Sequence, residues 1–76
     1  MSIEGLSEAR SAVMGRLGSL EAQGCLPIHG VELATYTAFF DGIDPDLAAR
    51  AVWDLIWDET LTHDPHTDDV DRKVGR

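Results

Sequence analysis

Hydrophobic residues recur at helical spacing in three stretches of the chain, and the first stretch lies near its beginning. Its apolar positions fall close to the 3.6-residue period of an α-helix, and they are Leu6, Val13, Met14, Leu17 and Leu20. This spacing predicts a helix from Ser2 or Ser7 to Gln23, with Ser7 as a candidate N-cap. Gly24 is a good C-terminal stop, and Pro27 in the connector that follows prevents continuation of the helix.

The second stretch predicts a helix from Gly30 to Phe40, and Gly42 ends it. Its predicted apolar face consists of Leu33, Tyr36, Phe39 and Phe40. Residues 35–40 read TYTAFF, and the β-branched and aromatic character of this run leaves a strand as the alternative.

The third stretch has the clearest helix start in the chain. Asp44 is a candidate N-cap, Pro45 suits the first turn, and Asp46 complements the positive end of the helix dipole. From this start the pattern predicts a helix that continues to about Thr60.

This third helix is apolar on two faces. The first face consists of Leu47, Ala48, Ala51, Val52 and Leu55, and the second of Trp53, Ile56 and Trp57. The polar remainder is a narrow stripe of Arg50, Asp54 and Asp58, in which Arg50 and Asp54 have the spacing of a helical ion pair. A helix that is apolar nearly all round is buried on several sides. With two other helices available, either it lies in the groove between them, or its tryptophan face meets another molecule.

The residues after Thr60 are polar and include few large apolar side chains. Such a composition is typical of a mobile terminal segment. The predicted fold class is therefore all-α, a small three-helix bundle with a flexible acidic C-terminal tail. Residues 1–61 form the three-helix domain in this interpretation, and residues 62–76 form the tail.

The chain has 76 residues and one cysteine, Cys25, so no disulfide strengthens a domain that buries little surface. A single cysteine suits a reducing compartment, and the first residues do not read as a signal peptide. No stretch approaches the roughly 20 apolar residues that cross a bilayer. We expect a cytoplasmic protein without a membrane partner.

The net charge is −8, and it is unevenly distributed. Residues 41–71 contain ten acidic residues and one arginine, whereas residues 1–40 carry a net −2 and residues 72–76 carry +3. A field of this sign repels nucleic acid and steers the protein toward a basic surface. We therefore expect a protein partner with a basic surface and no direct contact with nucleic acid.

Two other groups of residues have candidate chemistry. His63 and His66 lie among aspartates and offer ligands for a divalent ion, although their spacing matches no known metal site. Cys25 and His29 resemble a nucleophile and a base, but no third residue that would orient them is apparent. Because three short helices seldom enclose a pocket, we expect no catalytic residues, no cofactor and no enzymatic activity.

The candidate partner-binding site lies on the third helix. It consists of Trp53 and Trp57 as apolar anchors and of Asp54, Asp58 and Glu59 as matching charges. Two alternatives remain open at this point: both indole rings belong to the core, or at least one is exposed as an interface anchor.

The sequence matches no family pattern, so the predicted function depends on composition. Small acidic proteins without catalytic residues are often inhibitors, such as phage-encoded blockers of bacterial defence complexes. We expect a protein-binding inhibitor of this kind. A metal-responsive module that uses His63 and His66 and a structural homodimer are the alternatives.

Overall fold

The computed structural model describes residues 5–73, which fold into three α-helices and three short β-strands. In chain order the elements are α1 (Leu6–Ala22), β1 (Ile28–His29), α2 (Gly30–Asp41), α3 (Pro45–Trp57), β2 (Leu61–Asp64) and β3 (Asp69–Arg72). The prediction of an all-α bundle with a flexible tail is wrong, because residues expected to be mobile form an antiparallel sheet. Residues 74–76 of the predicted tail lie outside the described residues.

The helices end where local backbone chemistry predicts. Gly24 and Gly42 have φ values of 73° and 67°, a left-handed conformation that glycine adopts readily, and they follow α1 and α2. Asp44 caps α3, since its carboxylate accepts the N–H of Asp46 at 2.8 Å. The N-cap of α1 is Gly5 and not Ser7, and the alternative start at Ser2 lies outside the described residues.

Residues 35–40 belong to α2, so the strand alternative for this segment is wrong. Helical geometry places Leu33, Ala34 and Thr37 on one buried face, because residues three and four apart share a side of a helix. The hydroxyl of Thr37 donates to the carbonyl of Leu33 at 2.8 Å, which satisfies this polar group inside the core.

The sheet joins the end of the described chain to its middle. β3 is the central strand, with β2 antiparallel on one side and β1 antiparallel on the other. The register pairs Val70 with His63 of β2 and with Ile28 of β1. In the turn between β2 and β3, the carboxylate of Asp64 accepts the N–H of His66 at 2.9 Å, and Asp68 adopts a φ of 61°.

One hydrophobic core includes residues from all three helices and from the sheet. It consists of Ala9, Val13, Leu17, Leu20, Ile28, Leu33, Ala34, Ala48, Ala51, Val52, Leu55, Leu61 and Val70. Leu61 and Val70 have exposed fractions of 2% and 0%, so the hairpin is part of the core rather than an appendage. None of the helices within residues 5–73 is long and apolar enough to span a bilayer.

Candidate partner-binding surface

The tryptophan side chains of α3 are exposed. Ala48, Ala51, Val52 and Leu55 form the buried face, as the spacing predicts, whereas Trp53 is 49% exposed and Trp57 is 81% exposed. The alternative in which both rings belong to the core is therefore wrong. Arg50, Trp53 and Trp57 follow each other at intervals of three and four residues, so they form one exposed ridge along the helix.

Two of the three acids of the candidate site, Asp54 and Asp58, are paired with a residue of α1. Nη1 of Arg10 donates to Asp54 at 2.6 Å, and Nη2 donates to Asp58 at 2.5 Å. The predicted pair between Arg50 and Asp54 is wrong, because the carboxylate is bonded to Arg10 of α1 instead. One guanidinium thus offsets half of the charge of these two aspartates.

The pKa values of these groups follow from the hydrogen bonds. The pKa of Asp58 is lowered from its ordinary 3.8, first by the hydroxyl and N–H of Thr60 and then by Arg10. The pKa of Arg10 is raised, mainly by its bond to Asp58. Asp58 is therefore held in its charged form by contacts within the molecule.

Glu59 also has an intramolecular partner. It adopts a φ of 67° directly after α3, and its carboxylate accepts from Nζ of Lys73 at 2.8 Å, which lowers its pKa. The five predicted site residues therefore separate into two exposed tryptophans and three acids that are paired within the molecule. The apolar part of the predicted site is more available to a partner than its charged part.

Beside Trp53 lies a groove with a cavity volume of about 260 Å³. The first turns of α2, one side of α3 and the hairpin of β2 and β3 enclose it. Its lining is mainly apolar and consists of Gly30, Val31, Ala34, Thr35, Pro45, Ala49, Val52, Trp53, Ile56, His63, Asp68 and Val70. Val31 is 71% exposed, so the groove opens to solvent beside an apolar side chain. We call this feature the α2–α3 groove.

The polar groups of the α2–α3 groove come from the hairpin. Nε2 of His63 lies 3.0 Å from Oδ1 of Asp68, and the His63 ring packs against the Trp53 ring with centroids 5.1 Å apart. The carbonyl of Asp68 accepts the N–H of Gly30 at 2.9 Å, which fixes this turn against α2. Neither Val31 nor Asp68 was predicted as a site residue, because Asp68 was assigned to a mobile tail and Val31 lies outside the predicted apolar face of α2.

A second exposed aromatic surface lies on α2, where the predicted core face is wrong for three of its four residues. Tyr36, Phe39 and Phe40 are 40%, 77% and 60% exposed, and only Leu33 of that face is buried. The guanidinium of Arg16 lies 4.8 Å from the Phe40 ring centroid. We call Tyr36, Phe39 and Phe40 the α2 aromatic cluster.

The α2 aromatic cluster borders a wider and more polar cavity of about 730 Å³ between α1, the connector and α2. Charged side chains from three parts of the chain line it, including Arg16, Glu32 and Asp69. Arg16 also approaches Asp41 at 3.6 Å, so its charge is already partly balanced.

Within residues 5–73, no three side chains of histidine, cysteine, aspartate or glutamate come together in an arrangement that could hold a metal ion. Of the two histidines considered for such a site, His63 is bonded to Asp68, and the backbone N–H of His66 is bonded to Asp64. The described geometry gives the metal-responsive alternative no further support.

Comparison with known proteins places the chain in no family: no family model, no curated protein and no solved structure matches it.

Proposed function

We propose that this protein is a non-enzymatic binding protein that attaches to a basic surface of another protein through the exposed face of α3. One observation carries the proposal: Trp57 is 81% exposed on the same ridge as the half-exposed Trp53, and Trp53 lines an apolar groove. Tryptophan is enriched among the residues that dominate binding energy. A contiguous apolar patch of this kind is uncommon on a protein that has no partner.

Charge supports a partner of the opposite sign. The chain carries −8 overall, and residues 41–71, which include α3 and all of the hairpin except Arg72, carry −9. Like charge opposes the approach of a second copy, whereas a basic protein surface is attracted over the Debye length. We therefore do not propose a homodimer. The test below distinguishes a homodimer from a monomer that binds a different protein.

Inhibition is the mode of action that we infer. A basic surface on a protein commonly receives nucleic acid or another acidic ligand. An acidic protein docked on such a surface would compete with that ligand through charge and excluded volume. We assign the protein to the cytoplasm, where an exposed single cysteine such as Cys25 stays reduced.

The test compares two matched truncations of exposed aromatic residues. Trp57→Ala removes a ring that is 81% exposed on α3, and Phe39→Ala removes one that is 77% exposed on α2. The immobilised wild type and both variants capture proteins from a lysate of the cells that encode the chain, and mass spectrometry identifies what each retains. We expect a partner that the wild type and Phe39→Ala retain. Trp57→Ala should bind it about thirtyfold more weakly, since a central tryptophan contributes about 2 kcal/mol.

Two controls complete this experiment. Both variants should melt close to the wild-type temperature, because neither ring is buried, and raised salt should weaken retention of the partner. Equal retention by Trp57→Ala and the wild type would contradict the proposal. Light scattering over a concentration series distinguishes a homodimer from a monomer that binds a different protein.

A further inference from the structure

We infer that the α2–α3 groove receives the apolar side chains of a short amphipathic helix of the partner, and that this helix carries lysine or arginine near both ends. The inference rests on the proposed function and specifies which chemistry the partner presents. Its basis is the juxtaposition of an apolar groove between two helices with the Asp68 carboxylate on its lining and with Asp44 and Asp46 beside the lining residue Pro45.

The volume of the groove sets the size of what it can hold. At about 260 Å³ it is larger than the roughly 150 Å³ cavity that accepts a benzene molecule. It is smaller than the roughly 300 Å³ at which pockets for drug-sized ligands begin. One or two large side chains from a protein segment fit this range, and leucine or a similar residue at positions i and i+4 of a helix would supply them.

The length of the groove favours a helical occupant. On α3 the lining residues run from Pro45 to Ile56, which are 11 positions apart in the sequence. At 1.5 Å per residue this corresponds to roughly 16 Å, or three turns of an added helix packed along α3. The small side chain of Ala49 on the lining leaves room for another element to approach α3 closely.

One carboxylate lines the groove, and two others flank one of its lining residues. On the hairpin, Asp68 lines the groove with its side chain 61% exposed, and His63 holds one of its two oxygens. The Asp68 carbonyl is bonded to Gly30, so the position of the carboxylate is fixed before binding. Asp44 and Asp46 are exposed and flank Pro45, the first residue of α3 that lines the groove. A helix with basic residues near both termini would place one cation beside Asp68 and another beside Asp44 and Asp46.

The probe is a 14-residue acetylated and amidated peptide with leucine on one helical face and lysine on the rest. Two matched peptides test each element separately: in one, glutamate replaces every lysine, and in the other, serine replaces every leucine. Isothermal titration calorimetry measures their affinity for the full chain. We expect the leucine–lysine peptide to bind at least about tenfold more tightly than either matched peptide.

Variants of the protein locate the binding site. Ala49→Leu fills the groove and should weaken binding of the leucine–lysine peptide about tenfold or more. Asp68→Asn retains the positive φ, which asparagine tolerates, and should weaken binding two- to fivefold. Glu32→Gln is the matched control, since it removes one negative charge at the other cavity and should leave the affinity unchanged.

The outcomes separate this inference from the proposed function. If Ala49→Leu does not fold by circular dichroism, Thr35→Leu fills the same groove from an exposed position of α2. The inference is overturned if the filled variants bind the leucine–lysine peptide like the wild type, or if the glutamate peptide binds equally well. It is also overturned if the filled variants still capture the natural partner while Trp57→Ala loses it, a result that leaves the proposed function intact.

Discussion

The molecule exposes aromatic side chains on two helices, and the two surfaces differ in how many contacts each ring makes with other side chains of the protein. On α2, the Phe39 and Phe40 rings pack edge to face with centroids 5.0 Å apart, and Arg16 stacks on Phe40. On α3, Trp53 packs against His63, and within residues 5–73 no aromatic ring or cation stacks on Trp57. The rings of the α2 aromatic cluster thus cover part of each other, whereas the outer indole of the α3 ridge has no such contact within residues 5–73.

The cavities beside the two surfaces also differ, both in volume and in the polarity of their lining. The cavity of about 730 Å³ at the α2 aromatic cluster is wide and includes charges of both signs. The α2–α3 groove of about 260 Å³ is narrow and mainly apolar. Exposure of aromatic residues alone therefore does not mark the binding surface. The proposed binding surface on α3 differs from the α2 surface in three ways: within residues 5–73 no aromatic ring or cation stacks on Trp57, the adjacent groove is mainly apolar, and the exposed Asp68 carboxylate lines that groove.

The largest expected effect concerns the hairpin, which supplies one wall of the α2–α3 groove but none of the α2 aromatic cluster. Leu61→Ala should reduce the free energy of unfolding by about 2–5 kcal/mol, because it leaves a cavity at a residue that is 2% exposed. Urea denaturation measures this loss. The control is Thr62→Ala at an exposed position of the same strand, and its free energy of unfolding should stay within about 0.5 kcal/mol of the wild type. A negligible loss for Leu61→Ala would mean that the hairpin is not part of the core.

The second prediction compares the two tryptophans of the ridge. Trp53→Ala removes a half-buried ring that contacts His63, so it should lose about 1–3 kcal/mol of stability by the area that it buries. Trp57→Ala should stay within about 0.5 kcal/mol of the wild type. Thermal and urea unfolding of both variants measure the difference. Equal losses would show that the two rings are equally buried, against the structure.

Several helix ends were predictable because they depend on neighbouring residues, but α1 begins after Gly5 and not after Ser7, and α3 ends at Trp57 and not at about Thr60. Asp44 and Pro45 specify the start of α3 by capping and by a fixed φ, and Gly24 and Gly42 end the helices before them by local conformation. The buried face of α3 was also predictable from spacing, since its small and branched apolar residues recur at helical intervals.

The sheet was not predictable, because it depends on pairing between distant segments. Val70 is buried through the register with Ile28, a residue 42 positions away, and the strands that carry these two residues are short. Leu61 and Val70 are the only large apolar residues from 61 to 73. This segment therefore shows neither the 3.6-residue period of a helix nor the two-residue period of a strand.

Parts of the candidate site were also beyond local reasoning. Three aromatic residues on α2 looked like its core face, yet α1 and α3 pack against the side that carries Leu33 and Thr37. The pairing of Arg10 with Asp54 and Asp58 joins residues more than 40 positions apart. The exposure of the tryptophans depends on how much of α3 the other elements cover. The spacing of apolar residues along α3 does not determine that coverage.

The third prediction separates stability from binding, because it changes a position outside both surfaces. A Cβ added at Gly15 would meet no atom within 4 Å, and the residue lies inside α1. Gly15→Ala should therefore stabilise the fold by about 1 kcal/mol and raise the melting temperature by roughly 4–8 °C.

Gly24→Ala is the matched control for that substitution. It also has open space around its Cβ position, but its φ of 73° makes alanine unfavourable, so it should destabilise the protein. Neither variant should change affinity for the partner. A change in affinity with Gly15→Ala would mean that stability, and not the α3 face, controls binding.

The smallest effect concerns the acids between α1 and α3. Thr60→Val removes the main cause of the lowered pKa of Asp58, so that pKa should rise toward 3.8, and Arg10→Gln should raise it less. The associated stabilisation is present above pH 3.8 and is lost as pH falls through the folded-state pKa. Carbon-detected NMR titration measures the pKa, and Glu59, which bonds to Lys73, is the internal reference. An unchanged pKa of Asp58 in Thr60→Val would contradict Thr60 as the main cause of the lowered pKa.

The most direct test follows the indole N–H signals of the ¹⁵N-labelled protein while the captured partner is added. Two tryptophans give two such signals, and each reports on the α3 ridge. We predict that both signals shift or broaden on binding while the backbone amides of Phe39 and Phe40 keep their positions. The opposite pattern, in which the amides of the α2 aromatic cluster move and both indoles stay unchanged, would contradict the assignment of α3 as the binding face.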